Sequence, residues 1–167
     1  MTEDRPTYAL GQLFGAGRAE LMDHVPHCRR LGMDVLHTGP CEATVRLPYR
    51  AELVGDPVRR VVFGGAITTL LDHAGGLAVF CALSELKAIA TLDLRIDYLR
   101  AAEPDHDLLG YAHCYKLTKH VAFVRAVAYE HDRDKPFASC LGTFMVGANP
   151  SESPFAHALR ARADESA

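Results

Sequence analysis

One carboxylate in this chain stands where a carboxylate is costly. Asp72 is the single acid within Val61 to Ser84, VVFGGAITTLLDHAGGLAVFCALS, a stretch otherwise apolar or small. Acids are rarely buried unless they are paired or do chemistry. An isolated carboxylate acts as a general base or as a nucleophile. Gly64-Gly65 precede it by two helical turns. A helix that opens on two glycines leaves its first N–H groups bare, and such an end favours negative charge. A base or nucleophile together with amide donors is what a reaction passing through an oxyanion requires. Asp72 and Gly65 are therefore the first candidate site.

The element that must position them is the long helix itself. Ile67, Leu70, Leu71, Ala74, Leu77, Ala78 and Cys81 recur at three- and four-residue spacing and form one stripe. At about 100° per residue, Asp72 points away from that stripe. Thr68, Thr69, Gly75 and Gly76 are its neighbours one turn away. A helix apolar on one side and small on the other is expected to be covered on both. Glycines inside a helix cost roughly 0.5–1 kcal/mol each, so these two suggest close approach by another backbone or ring. His73 lies about 100° round from Asp72, which favours a packing or hydrogen-bonding role over a catalytic pair.

Composition limits the alternatives. The 167 residues suit one domain, with 49% hydrophobic and 23% charged residues. A net charge of −3 gives no electrostatic case for nucleic acid. The five cysteines, Cys28, Cys41, Cys81, Cys114 and Cys140, form no Cys-x-x-Cys pair, so no zinc site and no disulfide framework is indicated. His113, His120 and His131 lack metal-ligand spacing and read as structural or exposed, and no cofactor is implied. There is no Gly-x-Ser-x-Gly elbow, P-loop or dinucleotide fingerprint. The start MTEDRPTYAL has no signal pattern, and the apolar run is too polar on one face to span a bilayer, so a cytoplasmic protein away from membranes is expected.

In chain order, residues 1–32 read as a leader followed by a short helix over Arg18 to Leu31, which Pro26 would end. Met33 to Pro48 reads as a hairpin turning at Thr38-Gly39-Pro40. Tyr49 to Arg60 is a polar connection with a turn at Gly55-Asp56-Pro57. After the helix, Leu92, Leu94, Ile96 and Tyr98 alternate with Thr91, Asp93, Arg95 and Asp97, a strict period of two within a strand over Lys87 to Arg100. Leu108 to Leu117, Val121 to Glu130 and Pro136 to Val146 complete four antiparallel strands. Residues 33–146 form the domain. The tail over 147–167 reads as mobile or as a short helix over Phe155 to Arg162. A single long helix wrapped by a curved antiparallel sheet, an α+β fold, follows from this order.

That order, with Phe63-Gly64-Gly65 followed by six residues and Asp72, resembles the hotdog-fold thioesterases. The likeness is to the phenylacetic-acid-pathway type of acyl-CoA thioesterase, within the 4-hydroxybenzoyl-CoA thioesterase superfamily. The usual motif there is His-Gly-Gly, six residues, then Asp, and FGGAITTLLD fits its spacing; TLDLRIDYLRAA is similar to the strand that follows. The resemblance implies that Asp72 is the catalytic carboxylate and that the Gly65 N–H polarises a thioester carbonyl. It implies that Thr91 holds the nucleophilic water. Gly64 and Phe63 open the substrate side, with Phe63 in place of the usual His and Asp56 near a position often held by Asn. It also implies an acyl-CoA substrate, a homodimer or dimer of dimers, and sites lying between protomers. The small face around Asp72 suits such a dimer. Arg100, Lys116 and Lys119 are candidate contacts for CoA phosphates, though each also reads as a solvated charge at a strand end. Asp72 itself also reads as a locally paired structural acid, and Thr91 as an ordinary strand residue. A non-catalytic acyl-CoA-binding or regulatory hotdog protein is the alternative that Phe63 leaves open. A hydratase is third, since the helix offers only His73.

Overall fold

The computed structural model describes residues 25–85 and 87–148. The leader before residue 25, including the first half of the Arg18–Leu31 stretch, and the tail beyond residue 148 lie outside the described residues.

The first described element is helix α1, Pro26–Leu31. Pro26 opens this helix where the sequence reading had it close one. A proline in the first turn has no N–H to lose, and its fixed φ suits a helix start. Gly32, at φ 73°, ends α1 in the left-handed conformation, with its N–H on the Arg29 carbonyl. The expected hairpin follows as β1, Asp34–Gly39, and β2, Glu42–Leu47. The connection read as merely polar holds a 3₁₀ turn at Ala51–Leu53 and a small ladder between β3, Val54–Asp56, and β4, Val61–Val62.

Helix α2 spans Gly64–Ala82. Every residue of the expected stripe is buried, Leu70, Leu71, Ala74, Ala78 and Cys81 completely. By length and composition α2 is apolar enough to cross a membrane. Its burial under the sheet accounts for that apolarity. Four strands follow: β5, Ala88–Tyr98; β6, Leu108–Leu117; β7, Val121–Tyr129; and β8, Ala138–Ala148. The sheet runs β1-β2-β6-β7-β8-β5, antiparallel throughout, and α2 packs against all six strands. This is an α+β hotdog fold.

Two local features set the site. A Cβ on Gly75 would lie 2.9 Å from Phe144 Cζ, so the glycine lets the buried β8 ring seat against α2. The second is a bulge in β5. Thr91 pairs with Phe144 and Asp93 with Thr143, which leaves Leu92 as an extra residue. The strict alternation expected here is therefore broken. Directly paired residues share a face. Thr91 thus joins Leu94, Ile96 and Tyr98 toward α2, and Leu92 is left 56% exposed.

Candidate active site

Asp72 lies half-buried near the middle of α2 and accepts a hydrogen bond from the Thr91 hydroxyl, Oγ1 to Oδ1, at 2.8 Å. The bond joins helix to strand, and the β5 bulge makes it possible. Beside the pair is a cavity of about 230 Å³ walled by Leu77, Phe80, Ile89 and Phe144 as well as by Gly76 and His73. Its lining is mainly apolar, so a carboxylate here meets little competition from other charges. Burial pushes the thiols of Cys28 and Cys140 up to about 11, and the nearby Asp72 charge adds to the shift. Burial raises Cys81 to about 12 and Cys114 to about 11. These thiols stay protonated at neutral pH and are poor nucleophiles. His73 lines the same cavity, but burial holds its imidazole neutral, down to about 4, and Nε2 has no partner among the described residues. Asp72 is the remaining base or nucleophile at this cavity.

The start of α2 is uncapped: Phe63 occupies the cap position without a side-chain hydrogen bond. The Phe63 carbonyl takes the N–H groups of Ala66 and Ile67. Those of Gly64 and Gly65 have no partner among the described residues. Gly65 lines a second cavity, of about 460 Å³, with Phe63, Leu53 and Gly55. A Cβ on Gly65 would sit 2.6 Å from Phe63 Cε1, so the Phe63 ring lies against the bare glycine. Tyr98 donates to the Gly64 carbonyl at 3.2 Å and ties the far end of β5 to the helix start. Sequence reasoning missed this tie, although Tyr98 was visible in the alternation; its partner is 34 residues away.

The other expected residues are dispersed. Asp56 closes its own turn, accepting from the N–H groups of Val58 at 3.0 Å and Arg59 at 3.1 Å. It borders neither cavity. Arg100 makes a two-pronged ion pair with Glu130, at 2.9 and 2.6 Å, and donates to the carbonyls of Ala101 and Lys135. Burial alone would raise the Glu130 carboxyl; hydrogen bonds from Arg100 and the Glu103 N–H outweigh it and hold the carboxyl below the usual range. The Arg100 guanidinium is thus occupied inside the fold. Lys116 and Lys119 are exposed, with no ion pair among the described residues. The 118–120 turn abuts the Thr91 end of β5: Val146 N–H donates to the His120 carbonyl at 2.8 Å, and Val146 pairs with Ile89.

Comparison with known proteins agrees with this architecture. Residues 60–136 match the family model described as Thioesterase superfamily. A protein of Pseudomonas aeruginosa with a solved structure is 42% identical, with a TM-score of 0.69 over 75% of this chain and 93% of that one. The phenylacetic acid degradation protein PaaI of Thermus thermophilus is 28% identical, with a TM-score of 0.63 over 72% of this chain and 97% of that one. The medium/long-chain acyl-CoA thioesterase YigI of Escherichia coli is 26% identical over 88% of this chain and 97% of its own length. A putative esterase of Halobacterium salinarum is 42% identical over 78 residues, 45% of this chain, and the chain spans about half of its length, 52%. The chain belongs to the thioesterase superfamily, as a hotdog-fold member of the phenylacetic-acid-degradation (PaaI-like) type.

Proposed function

We propose that this protein is an acyl-CoA thioesterase that hydrolyses a CoA thioester to the free acid and CoA. The observation that carries the reading is the Thr91–Asp72 hydrogen bond at the wall of a mainly apolar cavity. The Thr91 hydroxyl orients the carboxylate, and its oxygen keeps lone pairs for a water. Asp72 takes a proton from that water, whose oxygen adds to the thioester carbon. The oxyanion meets the Gly65 N–H and the positive end of α2. The C–S bond then breaks and the proton passes to the departing CoA sulfur. The name carried by the YigI relative supports the substrate class.

One chain does not hold both halves of this site. Gly65 and Asp72 are seven residues apart, about 10 Å along a helix, and they line different cavities. A thioester carbon within about 3 Å of both sets of groups therefore needs a second copy. The edge strand β5 suggests how. Its outer side pairs with no strand among the described residues, and Leu92, Tyr98 and the following Leu99 are exposed at 56%, 51% and 60%. Thr91, near one end of β5, holds Asp72; Tyr98, near the other, holds the start of α2. Antiparallel pairing of two β5 strands about a two-fold axis sets the Thr91 end of each beside the Tyr98 end of the other. Asp72 of one copy then faces Gly65 of the partner, twice per dimer. Lys116 and Lys119, near the Thr91 end, suit the CoA phosphates as point charges.

Asp72→Asn tests the reading. Asparagine keeps the size and still accepts from Thr91, so melting should be unchanged. Thioester hydrolysis should fall by at least ~10²-fold while acyl-CoA still binds. Turnover that survives with normal melting would remove Asp72 from the mechanism and favour an acyl-CoA-binding protein.

A further inference from the structure

The loop between β5 and β6 and the hairpin between β7 and β8 bring Glu103, His106 and His131 together away from both cavities. One nitrogen of each imidazole and one oxygen of Glu103 all lie within 4.8 Å of one another. His131 Nε2 is 3.6 Å from Glu103 Oε2. The two rings stand at 87°, with centroids 4.6 Å apart, so they converge without stacking. We infer that these three residues form a binding site for a zinc-like divalent transition metal that clamps the two loops together.

Three features support the site. The first is ligand chemistry: two imidazoles and one carboxylate suit zinc and its borderline neighbours and are a poor set for magnesium or calcium. In a tetrahedral site with bonds of about 2.0–2.1 Å, ligand atoms stand about 3.4 Å apart. The His131–Glu103 separation is near that already, and closing the rest takes only side-chain rotation on exposed loops. The second is orientation. His106 Nδ1 is 2.9 Å from the Pro104 carbonyl, and a carbonyl only accepts. Nδ1, which also lies 3.9 Å from Glu103 Oε2, therefore carries the hydrogen, leaving the Nε2 lone pair for a metal once the ring turns toward Glu103.

The third is support from beneath. Glu130, 6% exposed, accepts the Glu103 N–H at 2.8 Å and both prongs of Arg100. This buried pair fixes the backbone of Glu103 against the residue that precedes His131. The neighbouring charges leave the site open to a cation. Arg100 is neutralised by Glu130, Lys135 Nζ lies 3.6 Å from Asp132, and Asp105 pairs with Arg60 at 2.7 Å. Spacing along the sequence does not reveal the cluster, because His131 comes from a different hairpin.

The test is zinc titration of tag-free full-length protein by calorimetry at pH 7.5, with the same samples melted with and without metal. The expected result is one saturable site per chain, a raised melting temperature with zinc, and no response to magnesium. His106→Ala and His131→Ala should each weaken zinc at least about tenfold. Both should melt as the parent does without metal, and His113→Ala, on the face of β6, should bind as the parent. Cobalt in place of zinc should give a visible absorption band that disappears in the His131 variant. No saturable binding, or binding that both variants keep, overturns the site.

Discussion

If each active site draws Asp72 from one copy and Gly65 from another, two inactive variants should rescue each other. Asp72→Asn removes the base. Gly65→Pro removes the amide donor at a first-turn position where proline is tolerated. Any side chain at residue 65 must displace the Phe63 ring, since a Cβ there lies 2.6 Å from Cε1. Phe63 is 63% exposed, so the ring can swing outward. Gly65→Ala supplies the control, because it moves the ring but keeps the N–H. The further loss in Gly65→Pro then measures the donor and should be about 10²–10³-fold. Co-expressed with distinguishable tags, the two inactive chains assort at random. About half of the dimers are mixed, and two-fold symmetry gives each mixed dimer one intact site and one doubly defective site. The mixture should therefore recover about a quarter of native activity. Loss of thioester absorbance is the suitable assay, because it follows the substrate directly and avoids a thiol reagent that the half-buried free Cys41 would also meet. A mixture no faster than the average of its two parents would refute the shared site.

Two further outcomes separate structural from functional charges and test the buried histidine. Arg100→Ala leaves Glu130 buried and unpaired, and should cost about 3 kcal/mol, the low end for a broken buried pair because 39% of the Arg100 side chain is exposed. At this size that is a fall of roughly 6–12 °C in melting temperature, with KM unchanged. Lys116→Ala with Lys119→Ala should do the reverse, raising KM most at low salt while melting stays put; opposite results would exchange the roles. For His73, the folded pKa of about 4 lies below the ordinary value of 6.5, so the unfolded chain takes up its proton first. The stability this contributes is complete above about pH 6.5 and is lost as pH falls toward 4, by at most about 3 kcal/mol. His73→Leu should flatten that limb of a melting-temperature profile between pH 7 and 4.5, and parallel profiles for the two proteins would count against the assignment.

Much of the architecture was legible because it rests on local periodicity. The three- and four-residue spacing of Ile67 through Cys81 marked the buried face of α2, and each of those side chains is covered. The strands β6, β7 and β8 were bounded by their own turns. What escaped depends on contacts distant in sequence. Pro26 is equally suited to follow one helix or to open another, and only the context chooses. Arg100 reads as a solvated charge or phosphate ligand until Glu130, 30 residues on, is seen to hold it. Asp56, read as near a position often held by Asn, differs in being a local case: its carboxylate is used by the two amides that follow it.

The β5 bulge shows the limit of periodicity most clearly. With strict alternation, Thr91 would face outward with Asp93 and Arg95, and Asp72 would lack its hydroxyl partner. The extra residue, Leu92, reverses the face of everything before it, so Thr91 reaches Asp72 while Leu94, Ile96 and Tyr98 still face the helix. Nothing in the TLDLRIDY pattern betrays this, because the apolar and polar residues alternate through the bulge without a break. The same defect turns a leucine outward on an edge that pairs with no strand among the described residues, which a lone chain gains nothing by doing. Pairing of two such edges, as proposed, would cover the leucine and, in the same step, bring a carboxylate to an open helix end. Site and assembly would then be two consequences of one inserted residue.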